Sequence, residues 1–516
     1  MLLRGDLSMG HSAAFQITAA FVVAGSLVAK AEIRLPKVLS DHAVLQRGVP
    51  VHVWGWATPG VGVRVNLHGQ TVDAVTDRLG EWSAWLGPES AGGPYTLTVK
   101  GDGGEGSVQI SDLLVGDVWI ASGQSNMEMP LGGFSYATNP LAVIKDGSAE
   151  IKAANHPELR LLKVENRSSD FPLEDGTRTW TECTPETAAK FSAIAYFFGR
   201  EISKDEHVPI GLIDASWGGS VVDGWISMEG LSSSSAMLGA FRSRAIFNQQ
   251  LTHRDEILAA EKREDDAARA AGKPAAAHGW IPPSGVWLPA GLYNGTIAPL
   301  TGYSIKGFLW YQGESDHEPY RVASYTALFE ELIADWRSHF SQGDLPFVYA
   351  QISSFNGGET WAVIRDDQRR ALAVSKTAMA VTLDVGEAGN VHPPDKQTVA
   401  KRMALAARGM VYGEKVAYQS PLFREATYVP GGMRVWFDHA EGLTYKESKL
   451  EGFELAGEDH HFVPAEATLE GETVVVKSAA IAYPRYVRYA FADVAPPSLY
   501  NAAGLPASTF SSEDGN

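Results

Sequence analysis

Between about Ser111 and Gly413, short apolar runs alternate with helical patterns. No other feature constrains the chain as much. Leu113-Leu114-Val115 and Val118-Trp119-Ile120 form one strand region, and Pro209 to Ile213 (PIGLI) forms another. Ile305 to Trp310 (IKGFLW), Pro346 to Ala350 (PFVYA) and Met379 to Leu383 (MAVTL) follow. Ala188 to Ile202 (AAKFSAIAYFFGREI) reads as a largely buried helix, and Gln397 to Val411 as another with Lys401 and Arg402 on its polar face. Strand and helix in alternation imply an α/β fold, a parallel sheet with helices on both faces.

The flanks read differently. From Ile33 to Ile110 the period is two: Val61, Val63, Val65 and Leu67 share one face, while Arg64 and Asn66 share the other. Several short strands at this spacing predict a β-sandwich. After Gly413 the strand pattern returns in Met433–Phe437, Thr473–Val476 and Tyr486–Phe491, which predicts a second β domain. The expected organisation is a targeting segment over 1–31, a β-sandwich over 32–110, a catalytic domain over 111–413 and a β domain over 414–516. Three units suit a chain of 516 residues. An Ala-rich, mixed-charge stretch over about 231–279 reads as a solvated helical insertion.

Arg4, the apolar run Ile17 to Ala29 and the Ala29-Lys30-Ala31 cleavage pattern predict export, to a periplasm or beyond the cell. No later run is long and apolar enough to suggest a membrane span. A net charge of −18 makes nucleic acid a poor partner. The single cysteine, Cys183, excludes an internal disulfide and Cys-rich zinc sites, and reads as a small buried apolar residue.

Chemistry concentrates where strands end. Gly116 to Met127 (GDVWIASGQSNM) runs from strand into a turn carrying Ser125, at the place where α/β sheets put their ligands. Taken alone, Ser125 reads as a helix N-cap rather than a nucleophile. The G-x-S-x-G elbow is absent, because Met127 stands where its second Gly would be. Ile213 to Ser220 (IDASWGGS) ends in a Gly-Gly turn that can present bare N–H groups to an anion. Trp310 to Asp316 (WYQGESD) and Asp384 to Pro393 (DVGEAGNVHP) follow two further strands. Together they supply a nucleophile, a base and oxyanion donors, the requirements of acyl transfer.

The set GQSNM, DASWGGS, WYQGES and VHP, in this order, resembles the sialate O-acetylesterase family of SGNH (GDSL-like) hydrolases. LYNGTIAPL, FSAIAYFFGRE and LYNAAGLPAS extend the resemblance over nearly the whole chain after residue 31. It implies a three-layer α/β/α sandwich flanked by β-sandwich domains. It implies removal of O-acetyl groups from a carbohydrate, sialic acid or a plant-wall-type glycan, without metal or organic cofactor. By position, Ser125 matches the family nucleophile, His392 its general base and Gly219 its backbone oxyanion donor. Gln312 stands where other SGNH enzymes place an oxyanion Asn. The alternative is a non-catalytic carbohydrate-binding protein with a decayed SGNH site.

One departure stands out. SGNH enzymes usually carry a third acid three residues before the His. Here that position is Gly389, and Asn390 occupies the place where many relatives have Asp. Glu314, Asp384 and Glu387 are the candidate replacements, with Glu314 expected against His392; otherwise the site works as a dyad. Asn126, Arg365 and Gln368 are candidate substrate contacts, with an exposed helix face the other reading for the last two. Glu314, Asp316, His317 and Glu318 read as a polar rim of the site. His460 and His461 lack the further ligands of a metal site and read as a surface pair.

Overall fold

The computed structural model describes residues 32–134, 143–273, 284–446 and 448–513. The expected targeting segment and the end of the insertion lie outside the described residues. A mixed α/β architecture surrounds one central sheet. Its strands run in the order Thr377–Ala380, Phe347–Ala350, Gly307–Tyr311, Ser107–Gly123, Ile210–Ser216, His156–Lys163 and Thr181–Cys183. All pairings are parallel except the last. Ile210–Ser216 and Gly307–Tyr311 are buried along their whole length, as strands covered on both faces must be.

The covering helices follow from burial stripes and caps. Ala193–Glu206 packs with Lys396–Met410 and both contact the sheet, while Tyr325–Phe340 packs with Trp361–Arg370. The single helix expected over Ala188–Ile202 is two: Pro185–Ala189 and Ala193–Glu206. Thr184 closes a capping box on the first, and Ser192 accepts from the N–H of Ala195 to start the second. In the insertion, Arg254–Ala270 buries no residue, which its lack of an apolar stripe dictates. No helix among the described residues is long and apolar enough to cross a membrane.

The strand order places the crevice. Elements that precede Gly307 in sequence lie on one side of Ser107–Gly123, and those that follow lie on the other. Chain connections therefore diverge at the carboxyl end of that strand, where open α/β sheets bind ligands.

The same strand crosses the expected boundary at residue 110. Its first half pairs antiparallel with Gly92–Gly101, and its second half enters the central sheet. The N-terminal β region also includes Gly62–Leu67 with Gln70–Val75, and Val51–Trp56 with Glu81–Leu86. Alternating burial along Glu81–Leu86 shows one face on the core and one in water.

The C-terminal β region has two four-stranded sheets: Leu422–Val429, Gly432–Asp438, Thr473–Lys477 and Glu466–Glu470, then Val463–Pro464, Phe453–Ala456, Tyr486–Tyr489 and Phe510–Ser511. Phe510 lies between them, 4.5 Å from Phe423 and 5.9 Å from Phe437 by ring centroids.

Arg365 joins this region to the α/β body. It is buried on helix Trp361–Arg370, and its guanidinium donates to the carbonyls of Ala492, Asp493 and Ala490. Burial holds it down at about 9. Gln351 Nε2 adds a bond to Ser508 Oγ at 2.8 Å. Arg365 is thus neither on an exposed face nor turned toward a substrate, which corrects both sequence readings. Arg365→Ala leaves buried carbonyls without a donor and is expected to destabilise the protein by about 1–3 kcal/mol. Urea unfolding checks this, with limited proteolysis cutting the C-terminal β region first.

Candidate active site

Gly123 ends the central strand with φ 129°. A Cβ there would lie 2.2 Å from the carbonyl oxygen of Tyr311, so no other residue fits. The next N–H, that of Gln124, donates to the same oxygen at 2.9 Å, and Gly123 O accepts from Trp217 N at 2.9 Å. Gln124 Oε1 accepts from the N–H groups of Gly313 (3.3 Å) and Ser315 (3.1 Å). Three strand-end turns are thereby tied together, and Ser125 opens a four-residue helix, Ser125–Glu128, above them.

His392 reaches the same point from the fourth turn. Its Nε2 is 2.8 Å from Ser125 Oγ. The His392 N–H donates to Asn390 Oδ1 at 3.0 Å, and Asn390 Nδ2 donates to Glu387 Oε2 at 3.0 Å, which fixes the loop. Phe134 meets the imidazole edge-on, with centroids 5.4 Å apart. Burial first, and the positive charge of Lys396 second, push His392 down to about 4. At neutral pH the ring is uncharged and can accept the Ser125 hydroxyl proton through Nε2.

The Gly-Gly turn lies against the serine. A Cβ on Gly218 would come within 3.3 Å of Ser125 Cβ and 2.9 Å of Glu128 Oε2. The Gly218 N–H donates to Glu128 Oε2 at 2.6 Å, and Glu128 Oε1 accepts from Asn166 Nδ2 at 2.8 Å. Gly219 takes φ 73°, and its carbonyl accepts from Trp287 Nε1 at 2.7 Å. Among the described residues, no acceptor engages the N–H of Ser125 or of Gly219. Two donors beside a nucleophile–base pair can hold a developing oxyanion. Glu128 and Asn166, which hold the turn, carry no signal in the sequence that would mark them.

Gln312 is placed otherwise than expected. It is fully buried, and its Nε2 donates to Ser220 O at 3.1 Å and to Asp316 Oδ2. Both amide hydrogens are spent inside the protein, so the oxyanion role inferred for Gln312 is corrected. Gln368 is equally internal: its Nε2 donates to Gln312 O at 2.8 Å and its Oε1 accepts from Ile352 N at 2.8 Å, which removes it from the substrate contacts. Asn126, also buried, donates to Glu314 Oε1 at 2.5 Å and to Val391 O at 3.0 Å, and accepts from Lys396 Nζ. Its amide is engaged inside the protein at both ends, which corrects its reading as a substrate contact.

Among the described residues the structure shows no third acid on His392 either. Glu314 contacts Asn126, Asp384 pairs with Arg402 at 2.6 Å, and Glu387 accepts from Asn390. Among the described residues, none of these carboxylates bonds to His392. The expected rim over 314–318 is turned inward in part, while His317 and Glu318 stay half-buried. Glu314 and Asp316 are buried, and Asp316 accepts from Arg321 Nε at 2.9 Å, while Arg321 also reaches Asp223 at 2.5 Å.

Cys183 is buried as expected, with its thiol pushed up to about 11 by burial. His460 is exposed and lies 2.6 Å from Glu513, a surface pair. One group among the described residues has the spacing to hold a metal: His42, Asp112 and Glu182. Asp112 lies toward the amino end of the central strand, away from Ser125, and Arg160 already bonds it at 3.0 Å, which disfavours a cation there.

Comparison with known proteins follows the geometry. Residues 286–408 match a family model described as carbohydrate esterase, sialic acid-specific acetylesterase. The sialate O-acetylesterase of Homo sapiens is 30% identical over 431 residues, covering 75% of this chain and 73% of that protein. That of Mus musculus is 28% identical over 502 residues, covering 89% of each. A crystal structure of a carbohydrate acetylesterase from Xanthomonas citri superposes with a TM-score of 0.78 at 33% identity, covering 93% of this chain and 99% of that one.

Removing the Gln312 amide leaves Asp316 and the Ser220 carbonyl short of a donor in a buried network. Gln312→Ala is therefore expected to lower stability by about 1–3 kcal/mol. A denaturant melt checks it, and an unchanged midpoint would return the amide to the reacting centre.

Proposed function

The chain belongs to the sialate O-acetylesterase family and is a carboxylic ester hydrolase; from that premise we propose that Ser125 and His392 remove O-acetyl groups from carbohydrate by way of an acetyl-enzyme. The observation that carries the reading is the 2.8 Å approach of Ser125 Oγ to His392 Nε2 at the crevice of the sheet. The unengaged N–H groups of Ser125 and Gly219 support it.

The reaction has two halves. His392 Nε2 takes the hydroxyl proton while Ser125 Oγ bonds to the acetyl carbon. Charge gathers on the former carbonyl oxygen, between the N–H groups of Ser125 and Gly219. The C–O bond to the sugar breaks, and His392 returns its proton to the leaving sugar oxygen. Water then attacks the acetyl-enzyme with His392 again as base, and acetate leaves with Ser125 restored. Glu128 serves indirectly by holding Gly218 and so the turn that carries Gly219. With no carboxylate among the described residues bonded to His392, the pair works as a dyad.

The relatives' names point to an O-acetylated carbohydrate, sialic acid among them; a plant-wall-type glycan is the further class the sequence resemblance implies. Acetate release from acetylated sialic acids, xylo-oligosaccharides and xyloglucan oligosaccharides separates these.

Ser125→Ala removes the nucleophile and little else, so the variant is expected to fold like the parent and to lose kcat by a factor of about 10³ or more on a chromogenic acetate ester. A variant that keeps more than about a tenth of parental kcat sinks the assignment.

A further inference from the structure

The Gly218-Gly219 turn has no side chains with which to hold itself. Glycine has more backbone freedom to lose than any other residue, and Gly219 sits at φ 73°. Yet the peptide between the two glycines carries the N–H that receives the oxyanion. Both neighbouring peptides are held from outside. On the peptide before it, the Gly218 N–H donates to Glu128 Oε2 at 2.6 Å. On the peptide after it, the Gly219 carbonyl accepts from Trp287 Nε1 at 2.7 Å. Among the described residues, no second donor reaches that carbonyl.

Trp287 is seated in turn by the insertion. It ends the short helix Ser284–Trp287. Helix Leu238–Leu251 sets Phe247 against its indole, with centroids 4.5 Å apart, and Arg244 Nη1 donates to its backbone carbonyl at 3.1 Å. Arg244 and Phe247 are three residues apart, so one face of the helix delivers both contacts. Phe247, Trp287, Val286 and Val221 form a small apolar cluster apart from the main core, and Trp217 packs against it. Trp217 and Val221 bracket the Gly-Gly turn in sequence. The two helices of the insertion therefore differ: Arg254–Ala270 buries nothing, while Leu238–Leu251 reaches the elements that frame the turn.

We propose that Trp287 is a positioning residue for the oxyanion, acting through Gly219, and that helix Leu238–Leu251 keeps it in place. The inference rests on the acetyl-enzyme reading above, in which the Gly219 N–H receives the developing charge. A buried indole N–H needs an acceptor, and any carbonyl would satisfy it. This one belongs to the residue whose backbone is freest and whose N–H has to be aimed. With Glu128 on one side and Trp287 on the other, the middle peptide is fixed before an ester arrives. Donors fixed in advance are what make an oxyanion site effective.

The test pairs turnover with a mimic of the charged intermediate. Trp287→Phe keeps an aromatic ring against Phe247 and removes the N–H donor. On a chromogenic acetate ester its kcat is expected to fall about ten- to a hundredfold with KM within about twofold, because the oxyanion forms only on the way to the transition state. The mimic is an aryl trifluoromethyl ketone: Ser125 Oγ bonds to its carbonyl carbon, His392 takes the hydroxyl proton, and the carbonyl oxygen becomes an oxyanion. Its Ki is expected to rise by the factor by which kcat/KM falls. A tryptophan that only packs would lower the folded fraction and leave kcat per folded molecule and Ki at the parental values. That outcome overturns the proposal, as does a loss of kcat with an unchanged Ki. Should Trp287→Phe not fold, Phe247→Leu decides, since it leaves the indole N–H and loosens its seat. A matched change of about threefold or more in kcat and Ki supports the proposal, and parental values for both overturn it. Failure of the esterase reading looks different: Ser125→Ala would then keep its turnover, and the parent would bind the ketone no more tightly than that variant does.

Discussion

The carbonyl oxygen of Tyr311 occupies the space a side chain on Gly123 would need, and most of the site depends on that contact. Because residue 123 has no Cβ, two neighbouring strands end at the same level. The backbone then crosses over to pair Gln124 N with Tyr311 O, while Gly123 O takes the N–H of Trp217. Gln124 extends the tie by accepting two N–H groups from the 313–315 turn. Ser125 is raised on this knot rather than on a strained nucleophile elbow. The Gly218-Gly219 turn comes with it, held at its back by Glu128.

The polar groups under the site make most of their bonds inside the protein rather than toward a ligand. Arg321 bridges Asp223 and Asp316, Asp316 holds the Gln312 amide, and Gln368 braces Gln312 from the other side. Buried charges and amides are tolerable only when satisfied in this way. The result is a stiff floor on which the Ser125–His392 distance depends. Lys396, Asn126 and Glu314 belong to that floor, with the Asn126 amide taking the Lys396 ammonium on one side and the Glu314 carboxyl on the other.

The flanking β regions are joined to the body by different means. The N-terminal region shares a strand with it, since Ser107–Gly123 serves both sheets and ends at the active-site turn. The C-terminal region is held by side chains, with Arg365 plugging three of its backbone carbonyls and Gln351 bonding Ser508. Both regions lie within the similarity to the carbohydrate acetylesterase from Xanthomonas citri, which covers 93% of the chain.

Sequence alone determined the layers and the ends of the strands. Apolar runs of strand length, alternating with helical stripes, admit little but a covered parallel sheet, and glycine beside polar residues after each run marks where chemistry gathers. Ser125, Gly219 and His392 were legible because each sits in such a turn. What only the tertiary structure decided is the direction and company of side chains. Arg365, Gln368, Gln312 and Asn126 look like ligands for a substrate in one dimension, yet each is turned inward onto backbone or buried charge contributed by segments far away in sequence. Lys396 could have been suspected, since it falls on the buried stripe of its own helix three and four residues before Val399 and Ala400. Its partners could not, because hydrogen bonding and desolvation act across space, and a linear pattern records only which residues are neighbours along the chain.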